Sequence, residues 1–349
     1  SLNTGIGYLA GAGVTTGTEN TFVGGLAGDA NTTASYNTAV GMNSLGANTT
    51  GEANSAVGRS SMLLNTTGIQ NAALGVNALY NNTTASNNTA VGYSALFANT
   101  TGTANVAVGS FAGDALTTGG SNVAIGYNSL STEDEHGGNV AVGTNVLASQ
   151  NAGATGYNTA VGHNAGLSVT TGVQNTLIGG LAGDALTTGS NNTAVGYASL
   201  STNCGAGNSA VGNGSLIAAT GVYSTALGYS AGSANTSGGN NLFLGKEAGL
   251  TGSPGGNITT ASNEICLGDE NISSANIQVD WTVASDQRDK TDFTALDLGL
   301  DFVNALAPVT YKWDKRSKYG DKSAEGYDLN AQTPDGTHKE DWLDIGFKA

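Results

Sequence analysis

Six consecutive residues in the last quarter of the chain combine a hydroxyl, two carboxylates, a guanidinium and an amine: Ser285-Asp286-Gln287-Arg288-Asp289-Lys290. A serine hydroxyl becomes a useful nucleophile when a base removes its proton, and a lysine with a lowered pKa can be that base. A serine and a lysine at this spacing occur by chance in many proteins. The spacing alone is therefore weak evidence for catalysis, and its meaning depends on the surrounding sequence.

The other titratable groups predict neither a metal site nor a cofactor site. His136 and His163 stand alone in or beside repeat turns, so we expect them at the surface. The run 133–135 (Glu-Asp-Glu) predicts a solvated loop, with calcium binding as a less favoured alternative. The Gly-Gly-x-Gly-x-Asp pattern of calcium-binding solenoids is absent. Turn capping explains three aspartates that follow a glycine in equivalent turns: Asp29, Asp114 and Asp184.

The two cysteines, Cys204 and Cys266, lie in different repeats and have neither Cys-x-x-Cys nor histidine spacing. Cys266 takes a position that is usually alanine. This pattern favours packing of small side chains over metal binding or redox chemistry.

Composition excludes several classes of function. The 349 residues carry a net charge of -15, yet only 11% of them are charged, and 54 are glycine. No basic stripe is present to neutralise phosphates, so we expect no nucleic-acid partner. No apolar run is long enough for a spanning helix, so we expect no membrane insertion. The first residue is not Met, and we expect Ser1 to be a cut boundary.

A short tandem repeat dominates the chain. Each copy contains a variant of Asn-Thr-Ala-Val-Gly, and its last residue is here named the closing glycine. Successive closing glycines are evenly spaced as far as Gly143, and the later steps vary in length. The sixteen closing glycines are Gly7, Gly24, Gly41, Gly58, Gly75, Gly92, Gly109, Gly126, Gly143, Gly162, Gly179, Gly196, Gly212, Gly228, Gly245 and Gly268. Such periodicity indicates a solenoid.

Each copy predicts one short strand. An aliphatic residue such as Val40 always precedes the closing glycine, and we expect it to form the core of the strand. The residue before it, such as Ala39, is mostly alanine and points to the opposite face. Its column includes Gly5, Phe22 and Cys266 but no charged residue. Both faces are therefore expected to be covered, the second by another chain.

Two further positions recur in the copies. Four residues after the closing glycine stands a second apolar residue, such as Leu45 or Met62, or else a glycine such as Gly28. An asparagine begins most copies, and we expect these residues, for example Asn37 and Asn54, to stack into hydrogen-bonded ladders. Helix is disfavoured, because Gly, Thr and Asn interrupt any helical periodicity. The fold class is therefore predicted as all-β, a parallel β-solenoid or β-roll of about 16 coils.

The Asn-x-Ala-Val-Gly columns of residues 1–268 resemble the head repeats of trimeric autotransporter adhesins and the 17-residue repeats of phage tail-fibre and algal-virus proteins. Those adhesin heads are trimers of parallel β-rolls. The resemblance implies an intertwined homotrimer, in which neighbouring chains cover the second strand face. It carries little information about the ligand.

Composition changes after the last repeat, where all three tryptophans lie. We divide the chain into a repeat shaft at 1–268, a transition at 269–284 and a small α+β domain at 285–349. Apolar residues at Leu296, Leu300, Val303 and Leu306 predict an amphipathic helix that ends before a proline. A strand is predicted at 310–313.

The sequence from Ser285 through Leu298-Gly-Leu-Asp-Phe-x-Asn-x-Leu-x-Pro-Val-x-Tyr-Lys-Trp313 resembles the C-terminal intramolecular chaperone of endosialidase-type tail spikes. That family trimerises the fibre and then cuts itself off before the serine. The resemblance implies a nucleophile at Ser285, a base at Lys290 and a scissile bond between Ala284 and Ser285. Asp286 and Arg288 would orient the loop. The family pattern continues beyond the end of this chain, so we expect the domain to be incomplete.

Together these features predict a homotrimeric fibre or spike on the surface of a virus, and the chaperone-like segment favours this interpretation over two alternatives. Its partners would be a host-surface glycan or protein receptor and other virion tail or fibre proteins. The only enzymology expected is one self-cleavage. A bacterial trimeric surface adhesin is the main alternative, and a glycan-cleaving tail spike is less favoured because paired carboxylates are lacking.

Overall fold

Sixteen strands of three residues each form in the repeat region, one for every copy of the motif. In chain order they are β1 Thr4–Ile6, β2 Thr21–Val23, β3 Thr38–Val40, β4 Ser55–Val57, β5 Ala72–Leu74, β6 Thr89–Val91, β7 Val106–Val108, β8 Val123–Ile125, β9 Val140–Val142, β10 Thr159–Val161, β11 Thr176–Ile178, β12 Thr193–Val195, β13 Ser209–Val211, β14 Thr225–Leu227, β15 Leu242–Leu244 and β16 Ile265–Leu267. Their regular recurrence follows from the repeat in the sequence.

The computed structural model describes residues 2–276, 308–312, 319, 333–339 and 344–347. Each strand of the repeat region pairs in parallel with its sequence neighbours, in the order β1 to β16. Equivalent residues of consecutive copies lie side by side, as Ala39 does with Ala56. Each copy is therefore one coil, and the predicted all-β parallel β-solenoid is confirmed.

The predicted facing of the strands is wrong. The middle residue of the strand points into the coil: Ala39 and Ala107 are fully buried. The residue before the closing glycine points outward, and Leu74 is 52% exposed. One coil encloses a narrow interior, which has room for a small strand residue opposite a large residue from the far side. The outward residues are named the aliphatic column below: the sixteen residues that directly precede the closing glycines.

Large side chains from the far side of the coil fill the space left by the alanines. They stand four residues after the closing glycine, and this position is named the corner column. Its leucine and methionine members are fully buried: Leu45, Met62, Leu79, Leu96, Leu130, Leu147, Leu200 and Leu216. Where the strand residue is large, the corner is glycine. A Cβ at Gly11 would lie 2.8 Å from the Phe22 ring. The phenylalanine therefore fills the space that a leucine occupies at other corners.

The corner column has a backbone conformation that the sequence did not predict. Leu45 has a φ of 53° and Met62 a φ of 48°. This left-handed region costs an ordinary residue on the order of 1 kcal/mol. Burial of the leucine side chain offsets that cost, since it is worth roughly 1.5–3 kcal/mol. Glycine adopts the same conformation without strain, which suits it to the other corners.

Two ladders of buried asparagines connect the coils. In the first, which the sequence predicted, the backbone N–H of Asn54 donates to Oδ1 of Asn37 at 2.9 Å, and Asn71 repeats the bond to Asn54 at 3.0 Å. The second ladder lies in the turn: Nδ2 of Asn65 donates to Oδ1 of Asn48 at 2.8 Å. Each of these bonds joins equivalent residues of consecutive coils. Buried amides with partners stabilise the stacking, whereas unpaired ones would oppose it.

Residues 276–349 form a second compact unit, distinct from residues 1–275. Its described residues include an antiparallel pair, β17 Pro308–Tyr311 and β18 Asp344–Phe347. β17 overlaps the predicted strand at 310–313. The predicted helix through Leu296 and Leu306 lies outside the described residues. The described part of the chain includes no helix with the length and apolar character needed to cross a membrane.

Candidate functional site

The residues predicted to carry out self-cleavage lie outside the described residues: Ala284, Ser285, Asp286, Arg288 and Lys290. Their roles stay predictions. Among described residues of the same unit, the carboxylate of Asp335 accepts from the backbone and hydroxyl of Thr337 at 2.9 and 2.7 Å. These bonds hold the pKa of Asp335 below its ordinary value. The backbone N–H of His338 donates to the Tyr319 hydroxyl at 3.3 Å.

The outward face of the strands runs along the described solenoid from β1 to β16. Each strand turns two residues outward, and none of these positions in β1 to β16 is charged. Single exposed apolar residues are ordinary, but a continuous row of exposed side chains such as the aliphatic column marks an interaction surface. The uncharged alanine column was predicted to pack on another chain, but it lies inside its own coil, where residues such as Ala107 are fully buried.

Aromatic side chains extend this face beyond the closing glycines. Tyr93 and Tyr127 each follow a closing glycine and are more than half exposed. The ring of Phe111, from the coil between them, lies 5.3 Å from that of Tyr93 and 6.2 Å from that of Tyr127. Edge-to-face contacts of this kind stabilise neighbouring coils and leave broad apolar area exposed.

The predicted solvated loop at 133–135 is wrong for its first residue. Glu133 is fully buried, in the column of the turn asparagines. Its Oε1 accepts from the backbone of His136 at 3.2 Å, and its Oε2 accepts from Gln150 Nε2 and from the Ala152 backbone, both at 3.3 Å. A buried carboxylate needs such partners. The next coil is longer than its predecessors, and this irregularity in the repeat could have indicated the role of Glu133.

Glu133, Asp134 and His136 each offer one ligand atom, and these atoms lie within 4.8 Å of one another. They are the described group best able to hold a metal ion. Both carboxylate oxygens of Glu133 already accept hydrogen bonds from the protein. These hydrogen bonds account for the arrangement without a metal ion: the buried Glu133 carboxylate holds the turn together.

Carboxylates in the repeat turns differ in their partners. Asp184 accepts a hydrogen bond from the Ser201 hydroxyl, one coil further along. Oδ1 of Asp114 has no hydrogen-bond partner among the described residues, and burial raises the pKa of this carboxyl above its ordinary value. Asp184 was predicted to cap its own turn, but its carboxylate instead connects two consecutive coils.

Burial makes Cys204 a poor nucleophile. The side chain is 3% exposed, and burial raises the pKa of the thiol from 9.0 to about 11. Because only the thiolate reacts, we expect iodoacetamide at pH 8 to label native Cys204 at least about 100-fold more slowly than a thiol of ordinary pKa. Mass spectrometry of chymotryptic peptides over time measures this rate. Denatured protein is the control, and equally fast labelling of the native chain would contradict the buried position.

A family model matches the C-terminal segment. It describes the chaperone of endosialidase and covers residues 285–347, less than a fifth of the chain. Comparison with curated proteins found no match. The matched segment and the preceding β-solenoid together fit a tail-fibre-like protein. The match begins at the serine of the predicted cleavage site, and it is consistent with trimer formation.

Proposed function

We propose that the chain is a homotrimeric fibre or spike protein of a virus, most simply a phage, which attaches the virion to its host. The observation that carries this proposal is the match to an endosialidase chaperone directly after a long repeat solenoid. A rigid stack of coils gives reach, and a chaperone at its end gives assembly. The protein would lie on the virion surface, with other tail or fibre proteins as neighbours and a host-surface glycan or protein as receptor.

The aliphatic column supports a second copy of the chain as the partner of the solenoid. Val108, Ile125 and Val161 are each more than a third exposed, on a face without charge. A partner of the same kind would remove this column from water without burying any charge. Coils of equal height in three parallel chains would bring aliphatic columns and the aromatic side chains beside them into register. A bacterial trimeric adhesin would use the same face, so this support does not separate the two sources.

Immunogold labelling and light scattering test the proposal. Antibodies against residues 1–268 should label tail fibres or spikes of virions that carry the gene. The purified Ser285→Ala variant of the full-length gene product, which is expected to stay uncleaved, should have the mass of three chains by multi-angle light scattering. A monomeric full-length protein, or virions without label, would contradict the proposal.

Self-cleavage is the second part of the proposed function. The Ser285 hydroxyl would attack the carbonyl carbon of Ala284 while Lys290 takes its proton. The peptide bond then becomes an ester, the amide nitrogen gains a proton, and water hydrolyses the ester. The products are a chain ending at Ala284 and a fragment beginning at Ser285.

We expect Ser285→Ala and Lys290→Ala to leave the full-length gene product as one intact band on a denaturing gel. The wild type should give two products, and mass spectrometry should place the new C-terminus at Ala284. Ser274→Ala, outside the matched residues, is the control and should cleave normally. An intact wild-type chain would contradict self-cleavage and leave the trimer proposal standing.

A further inference from the structure

A groove opens beside the last coils of the solenoid. Its volume is about 350 Å³. Polar turn residues form one side, and outward strand residues form the other. Its lining includes Tyr223, Asn240, Leu242, Asn263, Glu264 and Ile265. Binding sites for small ligands typically begin at this size and combine an apolar wall with a few polar groups.

Tyr223 is held in place by its backbone and by a glycine. Its φ is 58°, in the left-handed region, and its side chain is 65% exposed. The ring rests against Gly207 of the preceding coil, where a Cβ would lie 2.6 Å from Cδ1 of the ring. Only glycine at position 207 leaves room for the ring there. The tyrosine is thus a preorganised aromatic wall, although it stands in solvent.

The polar side of the groove has unused hydrogen-bonding capacity. Nδ2 of Asn240 donates to Oδ1 of Asn263 at 2.8 Å, which fixes both amides. This bond leaves Oδ1 of Asn240 as an acceptor and Nδ2 of Asn263 as a donor. The Glu264 carboxylate has no side-chain partner among the described residues, whereas its backbone N–H is fixed by Asn241 at 2.8 Å. Amides and carboxylates placed in this way pair with adjacent hydroxyl groups.

A neutral sugar fits this combination best. One face of a hexose ring presents C–H groups to an aromatic wall, and its edge presents hydroxyls to amides and carboxylates. A phosphate or an acidic sugar would meet Glu264 and a chain of net charge -15 without a cation in the groove lining. A purely apolar ligand would strip water from the amides without replacing its hydrogen bonds.

The same construction occurs at a second tyrosine. Tyr157, with a φ of 48°, is 62% exposed, and its ring rests on Gly138, where a Cβ would lie 2.9 Å from Cδ1. It borders a groove of about 400 Å³ with Ser121 and Thr155. Tyr36 occupies the equivalent position in an early coil, but Glu19 stands where the glycine would be. The pairing of tyrosine with glycine therefore distinguishes the two grooves from that early coil.

We propose that the groove at Tyr223 binds a neutral oligosaccharide, with Tyr223 stacking on a sugar ring while Asn240, Asn263 and Glu264 bind its hydroxyls. This proposal rests on the attachment function proposed above and names the chemical class of the receptor.

The probe is an array of unsubstituted gluco-, galacto- and manno-oligosaccharides, applied to the full-length protein. We expect binding to at least one member. Tyr223→Ala should weaken it by at least about tenfold, as truncation of a central aromatic residue does. Tyr223→Phe should retain binding within about twofold, since the stacking face remains. Tyr36→Ala is the matched control, from the same column and a similar φ of 64°, and should bind as the wild type does.

Two further measurements keep the outcomes distinct. Glu264→Gln should weaken binding without changing the thermal unfolding midpoint, because the carboxylate has no side-chain partner to lose among the described residues. Light scattering of Tyr223→Ala reports whether the groove instead holds a second copy of the chain. Loss of the oligomer in that variant, undiminished binding by it, or a wild type that binds no sugar on the array would each overturn the proposal.

The experiments can contradict the sugar-binding proposal and the trimeric-fibre proposal independently of each other. A wild-type trimer that labels virions but binds no neutral sugar would overturn only the groove. A monomer that binds sugar through Tyr223 would overturn the trimeric fibre and leave the groove standing.

Discussion

Replacing Val108 and Val142 by aspartate should convert the proposed trimer into folded monomers. Both residues belong to the aliphatic column and point away from the coil interior, and they lie two coils apart. In a monomer the new carboxylates would stay in water at little cost. In a trimer they would be buried in an uncharged interface, where an unpaired charge costs several kcal/mol. Light scattering should therefore report one chain mass, while circular dichroism keeps the spectrum of the solenoid.

Two control variants separate this effect from a general effect of charge. Thr84→Asp with Thr118→Asp adds the same charge two coils apart, on exposed turns away from the strands, and should leave the trimer intact. Ala107→Asp changes the residue next to Val108, but its side chain points into the core and is fully buried. That variant should lose the fold of the surrounding coils. A double aspartate variant that stays trimeric would show that the aliphatic column is not the interface.

The repeat made much of the fold predictable. Sequence spacing located every strand of the solenoid, because one glycine closes each of them. The corner leucines and the first asparagine ladder were also recognisable, since a buried apolar residue and a stacked amide each recur at a fixed distance from that glycine. These features depend on position along the coil, which the sequence displays directly.

The direction of each strand face could not be obtained in the same way. Alternation shows which residues share a face, but it leaves open which face is inside. An aliphatic, mostly β-branched residue before every closing glycine predicts a core position, whereas the interior of a thin coil admits alanine. Phe22 indicates the inner face, because the corner residues that contact its ring, at positions 11 and 28, are both glycine. Residues compensate each other in volume in this way only when they share one interior.

The repeat pattern does not predict the backbone conformation or burial of individual residues that depend on contacts within or between coils. Nothing in a leucine predicts the left-handed backbone of Leu45, which depends on packing inside a closed coil. Burial of Glu133 depends on Gln150 and Ala152 from the next coil. The catalytic prediction at Ser285 and Lys290, by contrast, needs no knowledge of packing. It comes from a local sequence motif, which lies within the residues that the family model matches.

Replacement by alanine should have very different effects at two adjacent glycines, Gly24 and Gly25, and this difference tests the stacking of the coils. Gly24 has a φ of +136°, and a Cβ there would lie 2.5 Å from the carbonyl oxygen of Gly41 in the next coil. Gly25 has no atom within 4 Å of the position that a Cβ would take. Gly24→Ala should therefore destabilise its coil by roughly 2–4 kcal/mol or more, from backbone strain and a clash with backbone. Gly25→Ala should be nearly neutral.

The damage from Gly24→Ala should also stay local. Each coil of the solenoid pairs only with its neighbours, so stability is close to a sum of coil and interface contributions. Hydrogen exchange measured by mass spectrometry should show lost protection in β1, β2 and β3, with β8 to β16 unchanged. Gly25→Ala should show the wild-type pattern throughout. Uniform loss of protection along all sixteen strands would mean that the coils unfold as one cooperative unit, and equal effects of the two substitutions would contradict the close approach of the stacked closing glycines.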